Sequence, residues 1–107
     1  NRGLAGQAGS LPALRALTQI AIENKDVPRA RELHQKLTRA NDRTPELAYN
    51  LGLLLQETGQ PEEAAVCYEL ALAERPDLFP AMLNLGHALA ALGREQEAKE
   101  YWSKALE

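Results

Sequence analysis

Few residues have the chemistry for catalysis or metal binding: His34, His87, Cys67 and the carboxylate pairs Glu62/Glu63 and Glu95/Glu97. A metal site on a helix needs ligand side chains three or four positions apart, and neither histidine has such a neighbour. A thiol nucleophile needs an adjacent base and an environment that favours the thiolate. Cys67 instead adjoins Tyr68 in an apolar stretch and reads as a structural thiol, and as a lone cysteine it excludes an internal disulfide. The paired glutamates stand where helices begin, facing the positive end of the backbone dipole, with nothing to bury them and raise a pKa. Gly3, Gly6 and Gly9 lack the G-x-G-x-x-G spacing that cradles a phosphate. No enzymatic activity, cofactor or metal is therefore expected.

The elements that hold these residues follow from a repeat. Asn50-Leu51-Gly52 returns as Asn84-Leu85-Gly86, Gly59 as Gly93, Ala64 as Ala98, Tyr68 as Trp102 and Ala71-Leu72 as Ala105-Leu106, always 34 positions apart. A degenerate earlier copy has Leu17, Ala30 and His34 at the corresponding places, with Thr18 and Lys25 where the other copies have glycine. The 107 residues are 45% hydrophobic but only 5% aromatic and are rich in strong helix formers, so each copy reads as two helices. Thr44 can cap one helix, Pro45 and Pro61 suit first helical positions, and Gly59 suits the turn between them. Helices are predicted near 11–24, 28–40, 45–58, 61–74, 78–92 and 95–106. The pairs Glu95–Lys99 and Glu100–Lys104 should support the last.

The copies resemble the tetratricopeptide repeat, whose pattern is W-x2-L-G-x2-Y, then A-x3-F, then P. The second supplies Ala48-x2-Leu51-Gly52-x2-Leu55, Ala64-x3-Tyr68 and Pro76, and the third Met82-x2-Leu85-Gly86-x2-Leu89 and Ala98-x3-Trp102. The first, Leu14-x2-Leu17-Thr18-x2-Ala21 and Ala30-x3-His34, lacks the proline. The resemblance implies an all-α, right-handed α-solenoid of three stacked helix-turn-helix repeats, at 11–44, 45–78 and 79–107, with first helices lining a concave groove. Residues 1–10 would form a flexible linker. The last repeat is expected to lack a capping helix and to expose Tyr101, Ala105 and Leu106. The chain does not open on Met and reads as a piece of a longer protein.

The expected function is a non-catalytic protein-interaction module or scaffold that binds a peptide or protein segment in the groove. Arg15, Gln19, Tyr49, Asn50, Leu53, Leu83, Asn84 and His87 are the candidate contacts, within a wider set that includes Ile22 and Gln56. Asn50 and Asn84 recur in register, and an amide carries a donor and an acceptor together. The pair is similar to the asparagine ladder of the sugar transferase that modifies Ser and Thr with N-acetylglucosamine. A chaperone-tail carboxylate clamp would by resemblance use Arg15, Gln19, Asn50, Pro80 and Asn84. Its last two positions lack the cations needed, so that mode is set aside.

Residues 1–44 carry eight basic and four acidic side chains, and 45–107 four basic and eleven acidic. This split allows two different partners or head-to-tail self-association through the uncapped C-terminal face. A structural, self-assembling array and the targeting domain of a larger enzyme are the alternatives. The acidic balance and few aromatics argue against nucleic acid, and no apolar run is long enough to span a membrane. A cytoplasmic location is expected from the lone cysteine.

Overall fold

The computed structural model describes the backbone of residues 2–106 and the side chains of residues 11–106. The described residues form six helices and no strand: α1 (Arg2–Glu23), α2 (Val27–Arg39), α3 (Pro45–Glu57), α4 (Pro61–Glu74), α5 (Phe79–Ala91) and α6 (Glu95–Leu106). The chain divides into two compact units, Asn1–Arg43 and Thr44–Glu107.

In the first unit α1 packs on α2 around Thr18, Ala21, Ile22, Ala30, Leu33 and Leu37, all buried. Thr18 is fully buried and satisfies its hydroxyl by donating to the Leu14 carbonyl at 2.6 Å. The backbone is helical from Arg2, inside the segment expected to be a linker. Leu4, Ala5, Gln7 and Ala8 are strong helix formers between the glycines, which makes a helix reasonable there. Asp26, rather than a Ser or Thr, caps α2, its carboxylate accepting from the Arg29 amide at 3.3 Å.

The turn between helices confirms the register in the copy with the weakest sequence signal. The Asp26 amide donates to the Ala21 carbonyl at 2.9 Å, Gln60 to Leu55 at 2.8 Å and Arg94 to Leu89 at 2.9 Å. Each is the six-to-one bond of a helix end closed through a left-handed residue. That residue is Gly59 (φ 81°) or Gly93 (φ 82°) in two turns and Lys25 (φ 59°) in the first. A Cβ costs roughly 1–2 kcal/mol in this region. Lys25→Gly should therefore stabilise the chain by about 1 kcal/mol after the larger unfolded-state entropy of glycine is counted. Urea unfolding followed by circular dichroism checks this; an unchanged or lower midpoint would mean that Lys25 makes compensating contacts.

In the second unit α3 packs on α4, α4 on α5 and α5 on α6, and α3 also touches α5. Leu47, Leu51, Leu54 and Leu55 of α3 and Leu85 and Leu89 of α5 are buried. Each such leucine contributes about 1.5–3 kcal/mol by leaving water. Thr44 occupies the cap position of α3 without a side-chain cap bond, so the expected cap is not made; Pro45 still opens the helix. Arg75 and Glu46 tie the end of α4 to the start of α3 at 2.7 Å. Instead of pairing with Glu100, Lys104 lies over the half-buried Tyr101 ring, 4.9 Å from its centroid, where the negative ring face attracts the cation. Leu106 is exposed as expected, and Ala105 is half-buried.

Two glycines set how closely the helices of a repeat approach. A Cβ on Gly52 would lie 2.6 Å from Tyr68 Cε1, and one on Gly86 would overlap the Trp102 indole. The bare backbone at Gly86 lets Trp102 reach α5 and donate its indole N–H to the Leu83 carbonyl at 3.2 Å. In register, Thr18 and His34 stand where these glycines and aromatics do, so a larger residue on the first helix accompanies a smaller ring on the second.

Candidate functional site

The sequence-derived contacts fall on both units. Arg15 is exposed, but its Nε and a terminal nitrogen both engage the Asp42 carboxylate at 2.7 Å, so its charge is already neutralised. Gln19 donates to Glu23 at 3.2 Å. Ile22 is buried in the core of the first unit and offers nothing to a ligand. The half-buried ring of His34 has its pKa held below the usual imidazole value by desolvation, as expected for a packed histidine.

The other six contacts lie on α3 and α5. Leu53 is exposed on α3 and Leu83 on α5, Tyr49, Asn50 and Asn84 are half-buried, and His87 is exposed. The Asn84 amide donates to the Tyr49 hydroxyl at 3.2 Å, joining the two helices, and to the Pro80 carbonyl of its own helix at 2.8 Å. Both N–H groups are thus engaged, and Asn84 Oδ1 is the atom that can still meet a ligand. The Tyr49 hydroxyl accepts one bond and keeps its own proton to give. The donor–acceptor pair expected of a single amide is therefore divided between Tyr49 and Asn84.

A second layer fixes this pair. The Tyr49 ring lies 5.8 Å from the Tyr68 ring at 47°, and Tyr68 donates to Gln56 Oε1 at 2.6 Å. Gln56, expected at the groove, instead holds Tyr68 in place. Burial, with Tyr49 and Cys67 beside it, keeps the Tyr68 phenol well above its ordinary pKa, so it stays a neutral donor. His87 lies 5.5 Å from Trp102, ring to ring, at 59°. Phe79, exposed at the start of α5, was not among the expected contacts. Its signal was an aromatic at a repeat position held by Pro45 and Leu11 in the other copies. Among the described residues no group of three or more His, Cys, Asp or Glu could hold a metal ion.

A search of curated proteins finds no significant match. Among solved structures, MamA of AMB-1 superposes with a TM-score of 0.81 at 24% identity, covering 97% of this chain and 57% of that one. A second crystal structure of MamA gives 0.79 at 25% identity, over 90% and 56%. MamA of MSR-1 gives 0.78 at 22% identity, over 97% and 60%. The chain thus spans little more than half the length of these MamA chains, and the similarity places it among all-α helical-repeat solenoids. Tetratricopeptide-repeat family models match residues 45–78 and 79–107, the two copies with the full glycine and aromatic signature. With the repeat register, the glycine-spaced helix pairs and these matches in agreement, the chain belongs to the tetratricopeptide repeat family.

Proposed function

We propose that the α3 and α5 surface receives an extended peptide segment of a protein partner. The family is one of protein-interaction and scaffold modules, typically non-catalytic, and no described helix is long and apolar enough to cross a membrane. The observation that carries the reading is the exposed pair Leu53 and Leu83 beside the Tyr49–Asn84 bond. An extended chain presents an N–H and a C=O to the same side every second residue. Asn84 Oδ1 accepts the first and the Tyr49 hydroxyl donates to the second, while the two leucines receive apolar side chains. Asn50 and His87, on the same helices, complete the proposed set.

A peptide array screened against the parent chain, Tyr49→Phe and Leu53→Ala/Leu83→Ala tests this, with circular dichroism confirming that each variant is helical. Loss of both leucines should weaken the hits by about tenfold or more. Loss of the hydroxyl should cost about two- to tenfold, the worth of one hydrogen bond. An array on which all three proteins bind alike, or none binds, would remove the peptide-receptor reading. A self-assembling array is the second reading, favoured by a charge split that follows the division into two units. Light scattering over a concentration series distinguishes it by a mass that rises with concentration and falls with added salt.

A further inference from the structure

A different surface, the outer face of α4, breaks the pattern of the repeat. Val66, Leu70 and Ala73 are all exposed, at i, i+4 and i+7, and so form one apolar stripe along the helix. The same three register positions hold Glu32, Lys36 and Arg39 in the first copy and Glu100, Lys104 and Glu107 in the third. Helix stability does not explain the difference, because a Glu–Lys pair four residues apart supports a helix as an apolar pair does without exposing carbon to water. The buried side of α4 is already filled by Ala64, Ala65, Cys67, Tyr68 and Ala71. The helix is therefore apolar on two sides, and only one is covered within the unit.

The flanks of the stripe are acidic. Glu62 and Glu69 border it on one side and Glu63 on the other, all exposed. Arg94 is forked onto Glu97 at 2.6 and 3.2 Å and also feels Glu62 and Glu69, so this one cation is shared among three carboxylates and the flank stays net acidic. The surrounding segment carries eleven acidic side chains against four basic ones. An apolar stripe between carboxylates is complementary to a helix with a narrow apolar seam between lysines or arginines.

We propose that the outer face of α4 docks a cationic amphipathic helix of a partner protein, its apolar seam on Val66, Leu70 and Ala73 and its basic flanks against Glu62, Glu63 and Glu69. The site is separate from the α3 and α5 surface and stands whether or not that surface binds peptide.

The probe is an acetylated, amidated Leu/Lys peptide with one apolar seam, with a Leu/Glu peptide of the same pattern as its counterpart. Amide chemical shifts of the labelled protein report the contact. The test variant is Val66→Glu/Leu70→Lys, which restores the pair found in the other copies and so keeps the helix. The Leu/Lys peptide should shift the amides of residues 62–74, bind more weakly as salt rises and lose about tenfold or more in affinity on the variant. The Leu/Glu peptide should not bind. Equal affinity for parent and variant, shifts centred on α3 and α5, or equal binding of the acidic peptide would each overturn the proposal. So would a parent that self-associates while the variant stays monomeric, since the occupant would then be a second copy.

Discussion

Gly52→Ala destabilises the 44–107 unit by about 2 kcal/mol, the difference between about 3 of overpacking and about 1 of helix propensity regained. The added methyl would sit 2.6 Å from Tyr68 Cε1 and 2.9 Å from Cδ1, well inside carbon contact distance. Tyr68 cannot retreat, because it is 0% exposed and its hydroxyl is held by Gln56. Gly86→Ala makes a closer clash on paper but should cost less, since the half-exposed Trp102 can swing toward solvent. Denaturant unfolding of both variants checks the order; a neutral or stabilising Gly52→Ala would show that the two helices separate freely. The first copy suggests the remedy. Gly52→Thr/Tyr68→His, which copies Thr18 and His34, should be less destabilised than the sum of its single changes by at least about 0.5 kcal/mol, the coupling expected of residues in contact.

The fold was legible because its signals are local. Pro61 at a first helical position and Gly59 before it set the start of α4, and Glu95 after Gly93 set that of α6, as observed. The first turn was placed by the 34-residue register alone, since Lys25 lacks glycine's signature while adopting glycine's conformation. The start of α1 was missed for a similar reason: glycines suggest a linker, yet a backbone rich in alanine and leucine can still be helical.

The site was less legible, because which atoms remain available depends on contacts far apart in sequence. Asn84 keeps its acceptor and gives up its donors through a bond to Tyr49, 35 residues away, and one to Pro80 in its own helix. Arg15 is claimed by Asp42, 27 residues away. No periodicity distinguishes an amide that points outward from one already bonded. Comparison of the copies can find such sites by a different signal, a residue out of character for its register position. Val66 and Leu70 where the other copies carry glutamate and lysine, and Phe79 at the start of α5, are of that kind.

Tyr68 and Trp102 occupy the same register position and should respond very differently to truncation. Tyr68→Ala removes a fully buried ring that touches Tyr49, fills the space left by Gly52 and is hydrogen-bonded to Gln56. The expected loss is about 3–5 kcal/mol, enough to unfold much of the unit if its stability is typical of small domains. Trp102→Ala removes a larger ring, but a half-exposed one, so the cavity is open and the loss is smaller. Tyr68→Phe separates the ring from its hydroxyl and should cost only about 1 kcal/mol, because half-buried Gln56 can take a water in exchange. Thermal and urea unfolding of the three variants give the ranking, and a Trp102→Ala loss equal to that of Tyr68→Ala would show that α6 is packed as tightly as α4. The same ranking should extend to binding. Tyr68 supports the ring of Tyr49, whose hydroxyl is the proposed ligand donor, so any Tyr68→Ala protein that remains folded should also lose peptide affinity, whereas Trp102→Ala leaves the Tyr49–Asn84 bond in place.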